Sequence, residues 1–549
     1  VLQIESIENL EGFGNKNAFG EYYHSENLIP GQFGLEANIA LVDQTLNDSP
    51  SRFNWFAEKV STNSGVYAVD TNGKLFYCSS GAWSNIRSPS SATGNGLIAF
   101  DFQLFYAYDR YLGLYTGSDF FDTYKDLGTN SSERTQLKPM EVYEDWIVIG
   151  HGRKIGIYNT TDDSISGAAL TLPTSFVVRA IKSNQTGVLI GANFRTRSII
   201  FLWDVRSVRS ISEWIWLDSP IQSICRLGSR WIVTTQKQQF ITDGYSVEPL
   251  PSLPDALQQS AVFSCLPAGT LVIGDKLYTA NTDPGTYNRI KSGLYTQDLT
   301  SKLFSFASVD NGCKADMTMG AMFQDSSFNQ YISYSTNLPS SHHSALVTNG
   351  NPDFATLVSS RFGIGPNNKI AEGVKLDISA VPTTTTLNSS ASFDVAAKIY
   401  NFKRQLWGYG LTNAASSTAN TIKVDGTLSG KNNAQVGDEV TILTGANAGL
   451  VRHISSISGQ NTSSEVWTLD SNLSSNMESG VYLNVQPFQL IKSKSVTITS
   501  LSELESVYFD IKNRIKGRKF LVKIVISNIS GIALSIPSLT FIYDDLGTV

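Results

Sequence analysis

The sequence predicts an all-β protein: a β-propeller of about seven blades followed by an antiparallel β-sandwich, with a small β-barrel or β-roll module inserted into it. Three observations predict this class. A hairpin unit recurs through the first two-thirds of the chain, the texture changes near residue 350, and the composition favours strands and turns. Charged residues make up only 16% of the 549 residues, against roughly a quarter in ordinary soluble domains. Ser, Thr, Asn and Gly fill the polar positions instead.

Residues 1–34 read as an N-terminal arm, and 35–350 as the propeller. The unit there is a hydrophobic strand, a tight polar turn, a second strand carrying aromatics and a Gly/Ser/Pro-rich link. In GVYAVDTNGKLFYCSSGAW, Asn72-Gly73 predicts a type I′ hairpin turn, which needs positive φ at both centres. Further copies begin at Gly96, Asp145, Gly187, Arg230 and Thr270, with a weaker one near Tyr331. Their spacing of about 30 to 60 residues brackets the ~40 to 50 of a four-stranded blade. The run Trp146-Ile147-Val148-Ile149 predicts a strand buried on both faces. Two sandwiches laid end to end are the alternative arrangement. Asp204 to Trp214 is the best candidate for a turn of helix, or else a long connection.

Residues 351–409 and 484–549 read as the sandwich. Val374-Lys375-Leu376-Asp377-Ile378 alternates with period two, giving one buried and one solvated face. Residues 410–483 read as the inserted module, with Val440-Thr441-Ile442 and Leu450-Val451-Arg452 expected to pair. An exposed loop tip tolerates such an insertion.

The net charge of −6 and a pI near 5.5 give no basic field to hold nucleic acid, so no sequence-specific nucleic-acid binding is expected. No uncharged apolar run approaches the ~18 to 20 residues of a membrane-spanning helix, and VLQIESIENLEG lacks the features of a signal peptide. Cys78, Cys225, Cys265 and Cys313 form no CxxC pair and read as buried thiols.

No catalytic residue, cofactor-binding residue or metal ligand is assigned. His342-His343 is placed in a polar loop, where adjacent side chains diverge too far to share a metal. His151 and His453 have no partner identifiable from sequence. Asp70-Thr71-Asn72-Gly73 and Asp310-Asn311-Gly312 look like calcium loops but lack the closing Glu, so turn chemistry explains them. Asp101, Asp109, Asp145, Asp204 and Asp243 lie in or near blades without evident convergence. Tyr22-Tyr23, Phe105-Tyr106 and Trp407-Tyr409 are interface or sugar-platform candidates set against a core role. Lys512, Arg514, Lys516, Arg518 and Lys519 form the densest basic run. It is read either as a solvated turn guarding an edge strand or as a subunit interface with an acidic neighbour.

VGDEVTILTGANAGLVRHISSISG followed by WTLDSNLSS resembles small β modules of tailed-bacteriophage tail and fibre proteins. A propeller joined to a sandwich is similar to virion proteins of the tail nozzle or hub type. The resemblance implies a non-enzymatic structural protein of a phage tail, localised in the virion and ringed with copies of itself and other virion proteins. A host-surface glycan is a further partner. A carbohydrate- or receptor-binding propeller is the alternative, and after it a glycan-cleaving enzyme with paired carboxylates.

Overall fold

A computed structural model describes the chain except residues 1, 9–21, 27, 32–33, 38, 49, 90–94, 208–211, 251–262, 283–292, 300–303, 308–317, 337–340, 350–353, 360–361, 363–366, 383–389, 402–409, 417, 425–433, 443–444, 448–449, 500–503, 530–531 and 547–549. The described residues form nine sheets of four to six strands and one closed six-stranded barrel, antiparallel except for one short edge pair. Apart from one short 3-10 turn at Ser131–Glu133, all the regular structure among them is strand.

Seven sheets follow one another along the chain. The first holds Phe53–Lys59, Gly65–Asp70, Leu75–Ser79 and Ala82–Arg87, with Thr45–Leu46 added in parallel at its edge. The opening strands of the next five are Gly96–Phe100, Met140–Tyr143, Phe176–Asn184, Ile221–Leu227 and Thr270–Ile273. In the seventh, Thr318–Gln324, Gln330–Thr336 and Ser341–Asn349 are completed by Ile39–Asp43, far away in sequence.

Consecutive side chains explain why these sheets need neighbours. In Trp146–His151, Ile147 and Ile149 pack with Phe105 and Leu112 of the second sheet. Val148, between them, packs on the opposite side with Phe176 and Ile190 of the fourth. A strand apolar on both faces must be covered on both. The first and seventh sheets likewise share a cluster holding Phe53, Trp83, Ala321 and Tyr331.

No ladder joins any one of these seven sheets to the next. The expected seven-bladed propeller is corrected to what the ladders show, a series of separate small sheets. The physical reason is that sequence period registers hairpins of similar length. It carries no information on how the resulting sheets are arranged.

Two larger sheets lie beyond. One runs Tyr22–Glu26, Phe354–Ser359, Leu521–Ser527, Ser390–Tyr400 and Gln489–Thr499. The other carries Ile532–Asp545, Lys369–Pro382 and Leu504–Gly517, with Leu2–Glu8 and Gly34–Ala37 also paired to Ile532–Asp545. Alternation does what period two requires: Val374, Leu376 and Ile378 are buried with Val395, Phe509 and Phe541, while Lys375 and Asp377 lie on the other face.

Between residues 410 and 483, Val440 and Thr441 pair with Arg452 and Val451. Gly410–Ala414, Thr421–Val424, Glu465–Leu469, Val451–Ser458, Glu439–Ile442 and Tyr482–Gln486 pair in that order, and the last pairs back to the first to close a six-stranded barrel. This ring closes around buried Trp467. The fold class is thus all-β: separate small sheets in place of the expected propeller, two larger sheets sharing one core, and a closed six-stranded barrel.

Three local expectations also change. Asn72 keeps a negative φ and only Gly73 is left-handed, at φ 77°, so the turn is not type I′. His342 and His343 lie on the strand Ser341–Asn349, not in a loop. Asp204 opens a bend in which its carboxylate accepts the backbone N–H groups of Arg206 and Ser207, with no helix among the described residues there.

Candidate functional site

The opening strands of the seven sheets put residues around one cavity of about 800 Å³. Trp55, Ala57, Leu97, Pro139, Ala180, Ile224, Ala268 and Met322 contribute apolar wall from seven sheets or the segments leading into them. Glu58, Glu141, Lys182, Arg226 and Gln324 supply its polar groups. A volume of several hundred Å³ with an apolar wall and a few convergent polar groups is typical of small-molecule sites.

These charges are held in place. Glu141 accepts hydrogen bonds from Lys182 Nζ at 2.8 Å and from Ser183 Oγ at 3.0 Å. Burial alone would lower the pKa of Lys182, but the Glu141 carboxylate outweighs it and raises it. Glu58 accepts the Ser326 backbone N–H at 2.6 Å and its hydroxyl at 2.5 Å. Burial pushes the Cys225 thiol up to about 12 and that of Cys265 to about 11, so both stay protonated near neutrality. Thiolate is the reactive form of cysteine, and these thiols offer no nucleophile.

The basic run that sequence singled out is partly brought together. Lys516, Arg518 and Lys519 line a second cavity of about 600 Å³ with Asn368, Asn401, Gly517 and Leu546. Lys512 is exposed on the same strand, Leu504–Gly517, and does not line it. Arg514 lies on that strand as well, its side chain outside the described residues. Asn401 Nδ2 donates to the Lys516 carbonyl at 3.1 Å and fixes the rim. None of Lys516, Arg518 and Lys519 has an ion pair among the described residues.

The other candidates disperse. Asp101, Asp109, Asp145, Asp204 and Asp243 sit at strand ends and turns rather than around the cavity. Asp70 is fully buried, and its carboxylate accepts the backbone N–H groups of Ser51, Asn72 and Lys74, which is turn chemistry. Phe105 and Tyr106 are core residues. Asp310-Asn311-Gly312, Cys313 and Trp407-Tyr409 lie outside the described residues, as do the side chains of Tyr22, Tyr23, His342 and His343.

Two histidines have partners that sequence could not reveal. His151 is fully buried, with Nε2 2.6 Å from the Gly167 carbonyl, and burial lowers its pKa to about 4. His453 Nδ1 is 3.1 Å from Asp470, beside a buried ion cluster. At its centre, Glu439 of the barrel takes the ammonium of Lys398 on one oxygen and that of Lys523, at 2.5 Å, on the other. Burial would raise the Glu439 pKa, but the two ammonium groups hold it well below the usual carboxylate range. Lys398 and Lys523 are directly opposite on neighbouring strands, an arrangement that repels without a counter-charge. Among the described residues no three His, Cys, Asp or Glu side chains cluster to hold a metal ion. No helix among them is long and apolar enough to cross a membrane.

No protein-family model matches the chain, and no curated protein matches it. Among solved structures, that of the computationally designed Ika8 protein is similar at a TM-score of 0.37 and 9% identity, over 58% of this chain and 97% of that one. The computationally designed Ika4 protein is similar at 0.22 and 8%, over 29% of this chain and 89% of that one. Likenesses this weak carry no functional argument.

The phage-tail resemblance is corrected on these findings, and with it the virion localisation and the partners it implied. Neither a family model nor a curated relative supports that role. The receptor-binding and glycan-cleaving alternatives rested on the same propeller and go with it. Short strands and Gly-rich turns recur wherever small β sheets are built, so the quoted run does not carry an assembly.

Proposed function

We propose that the chain is a non-enzymatic binding protein whose ligand, a small polar organic molecule, occupies the cavity of about 800 Å³. The carrying observation is that seven separate sheets each contribute wall to this one space. Such convergence holds polar groups on rigid strands, which is how binding sites are preorganised. Glu141 is engaged by Lys182 and Ser183, and Glu58 by Ser326. Both therefore serve orientation better than proton transfer.

The test is a thermal-shift screen of the full chain against nucleotides, amino acids and carboxylic acids, repeated on Ala180→Phe, which fills the cavity. Stabilisation of the wild type that the variant abolishes supports the reading. No hit in the wild type, or equal hits in both, would overturn it. Mass analysis after incubation should return each hit unchanged, whereas conversion would overturn the non-enzymatic part.

A second reading concerns the groove around Lys516, Arg518 and Lys519, which fits an electrostatic contact with an acidic partner. Retention on a polyglutamate resin should fall with salt and be lost in a Lys516→Glu/Arg518→Glu variant. Retention that the variant keeps would exclude the groove.

A further inference from the structure

Two arginines on the opening strands are left without a counter-charge. Arg52 immediately precedes Phe53–Lys59, and Arg179 lies within Phe176–Asn184. Both are half-buried. Arg52 Nη1 donates to the Met319 carbonyl and Arg179 Nη2 to that of Cys265, each at 3.3 Å. A guanidinium has five N–H donors, so most of their capacity is unused among the described residues. Arg52 Nε is enclosed by protein and meets no acceptor.

No carboxylate of the described residues pairs with either group. One hydrogen-bonded path joins their anchors: the Met319 N–H donates to Thr282 Oγ1 at 2.8 Å, and the Thr282 N–H donates at 2.7 Å to the carbonyl of Ser264, the neighbour of Cys265. Burial lowers the pKa of both arginines, and the Arg179 charge lowers that of Arg52 further. Two partly desolvated like charges are costly unless an anion joins them.

The surroundings are shaped around Arg52. A Cβ on Gly320 would stand 2.9 Å from Arg52 Cγ and 2.6 Å from the Phe53 carbonyl oxygen, so only glycine leaves the side chain its path. The Phe53 backbone N–H donates to Ser333 Oγ at 2.9 Å, which fixes the strand on which Arg52 sits. Neither arginine is among the residues lining the cavity of about 800 Å³.

We propose that Arg52 and Arg179 together form an oxyanion site that binds the carboxylate or phosphate group of a small molecule between their planar forks. Bidentate donation by arginine suits both groups. The site stands independently of the proposed cavity ligand, because it shares no lining residue with it.

The test is calorimetric titration of the full chain with inorganic phosphate and, separately, acetate, at ionic strength held constant with chloride. Saturable binding of either anion is expected, and the stronger one identifies the ligand class. Arg179→Gln and Arg52→Gln should each weaken it at least tenfold, and Gly320→Ala should weaken it by displacing Arg52. Arg179→Lys keeps the charge but loses the fork, so it should recover only part of the affinity. Absence of saturable binding of both anions to the wild type overturns the proposal, as does binding that survives both neutralisations. Because the wild-type titration decides the matter, a variant that fails to fold leaves the test intact. An Ala180→Phe variant that still binds the anion separates this site from the cavity.

Discussion

His151 shows how one buried side chain writes a pH dependence into the protein. Its folded pKa is about 4, against about 6.5 for an unperturbed histidine. Between those values the unfolded chain binds the proton and the folded one does not, so stability rises with pH. The stabilisation is complete above about pH 6.5 and is lost as pH falls toward 4, on the order of 3 kcal/mol in all. His151→Asn should flatten that part of a urea-denaturation series run from pH 4 to 7.5. An unchanged slope would show that other groups dominate. At Gly73, with φ 77°, alanine should cost roughly 1–2 kcal/mol through left-handed strain, read as a lower denaturation midpoint. Here sequence was half right: it marked the turn but not its type, because Asp70, two residues before Asn72, takes the turn's N–H groups.

Among elements, the junction between the barrel and its host sheet rests on Glu439. Glu439→Gln leaves Lys398 and Lys523 facing each other in a dry site, and removing one partner of a buried ion cluster costs about 3–5 kcal/mol. Replacing Glu439, Lys398 and Lys523 together by methionine should recover most of that loss, since all the buried charge then disappears. Chemical denaturation of both variants separates charge from shape. The pH sign is the ordinary one for a carboxylate: the pair's contribution is full above the unfolded pKa of about 4.3 and declines as pH falls below it. None of this was legible in sequence. Lys398, Glu439 and Lys523 are 41 and 84 residues apart, and a lysine on an alternating strand looks solvated until another element covers it.

Across the whole molecule, distant segments complete sheets begun elsewhere. Leu2–Glu8 pairs with Ile532–Asp545, and Ile39–Asp43 with Ser341–Asn349. Deleting residues 1–43 would turn Ser341–Asn349 into an open edge, and open edges recruit other chains. Light scattering should show concentration-dependent association of the truncated protein that the full chain lacks. A truncated protein that stays monodisperse would show that the edge is otherwise protected. By itself, the sequence determined the all-β class, the hairpin units and the alternating strands of the last third. Those features depend on side-chain period and turn chemistry within a few residues. Only the tertiary structure decided that the units form separate small sheets, that they share a cavity, and that Arg52 and Arg179 are half-buried without a counter-charge among the described residues. Such contacts join residues a hundred or more positions apart, and local pattern holds no information about which buried faces will meet.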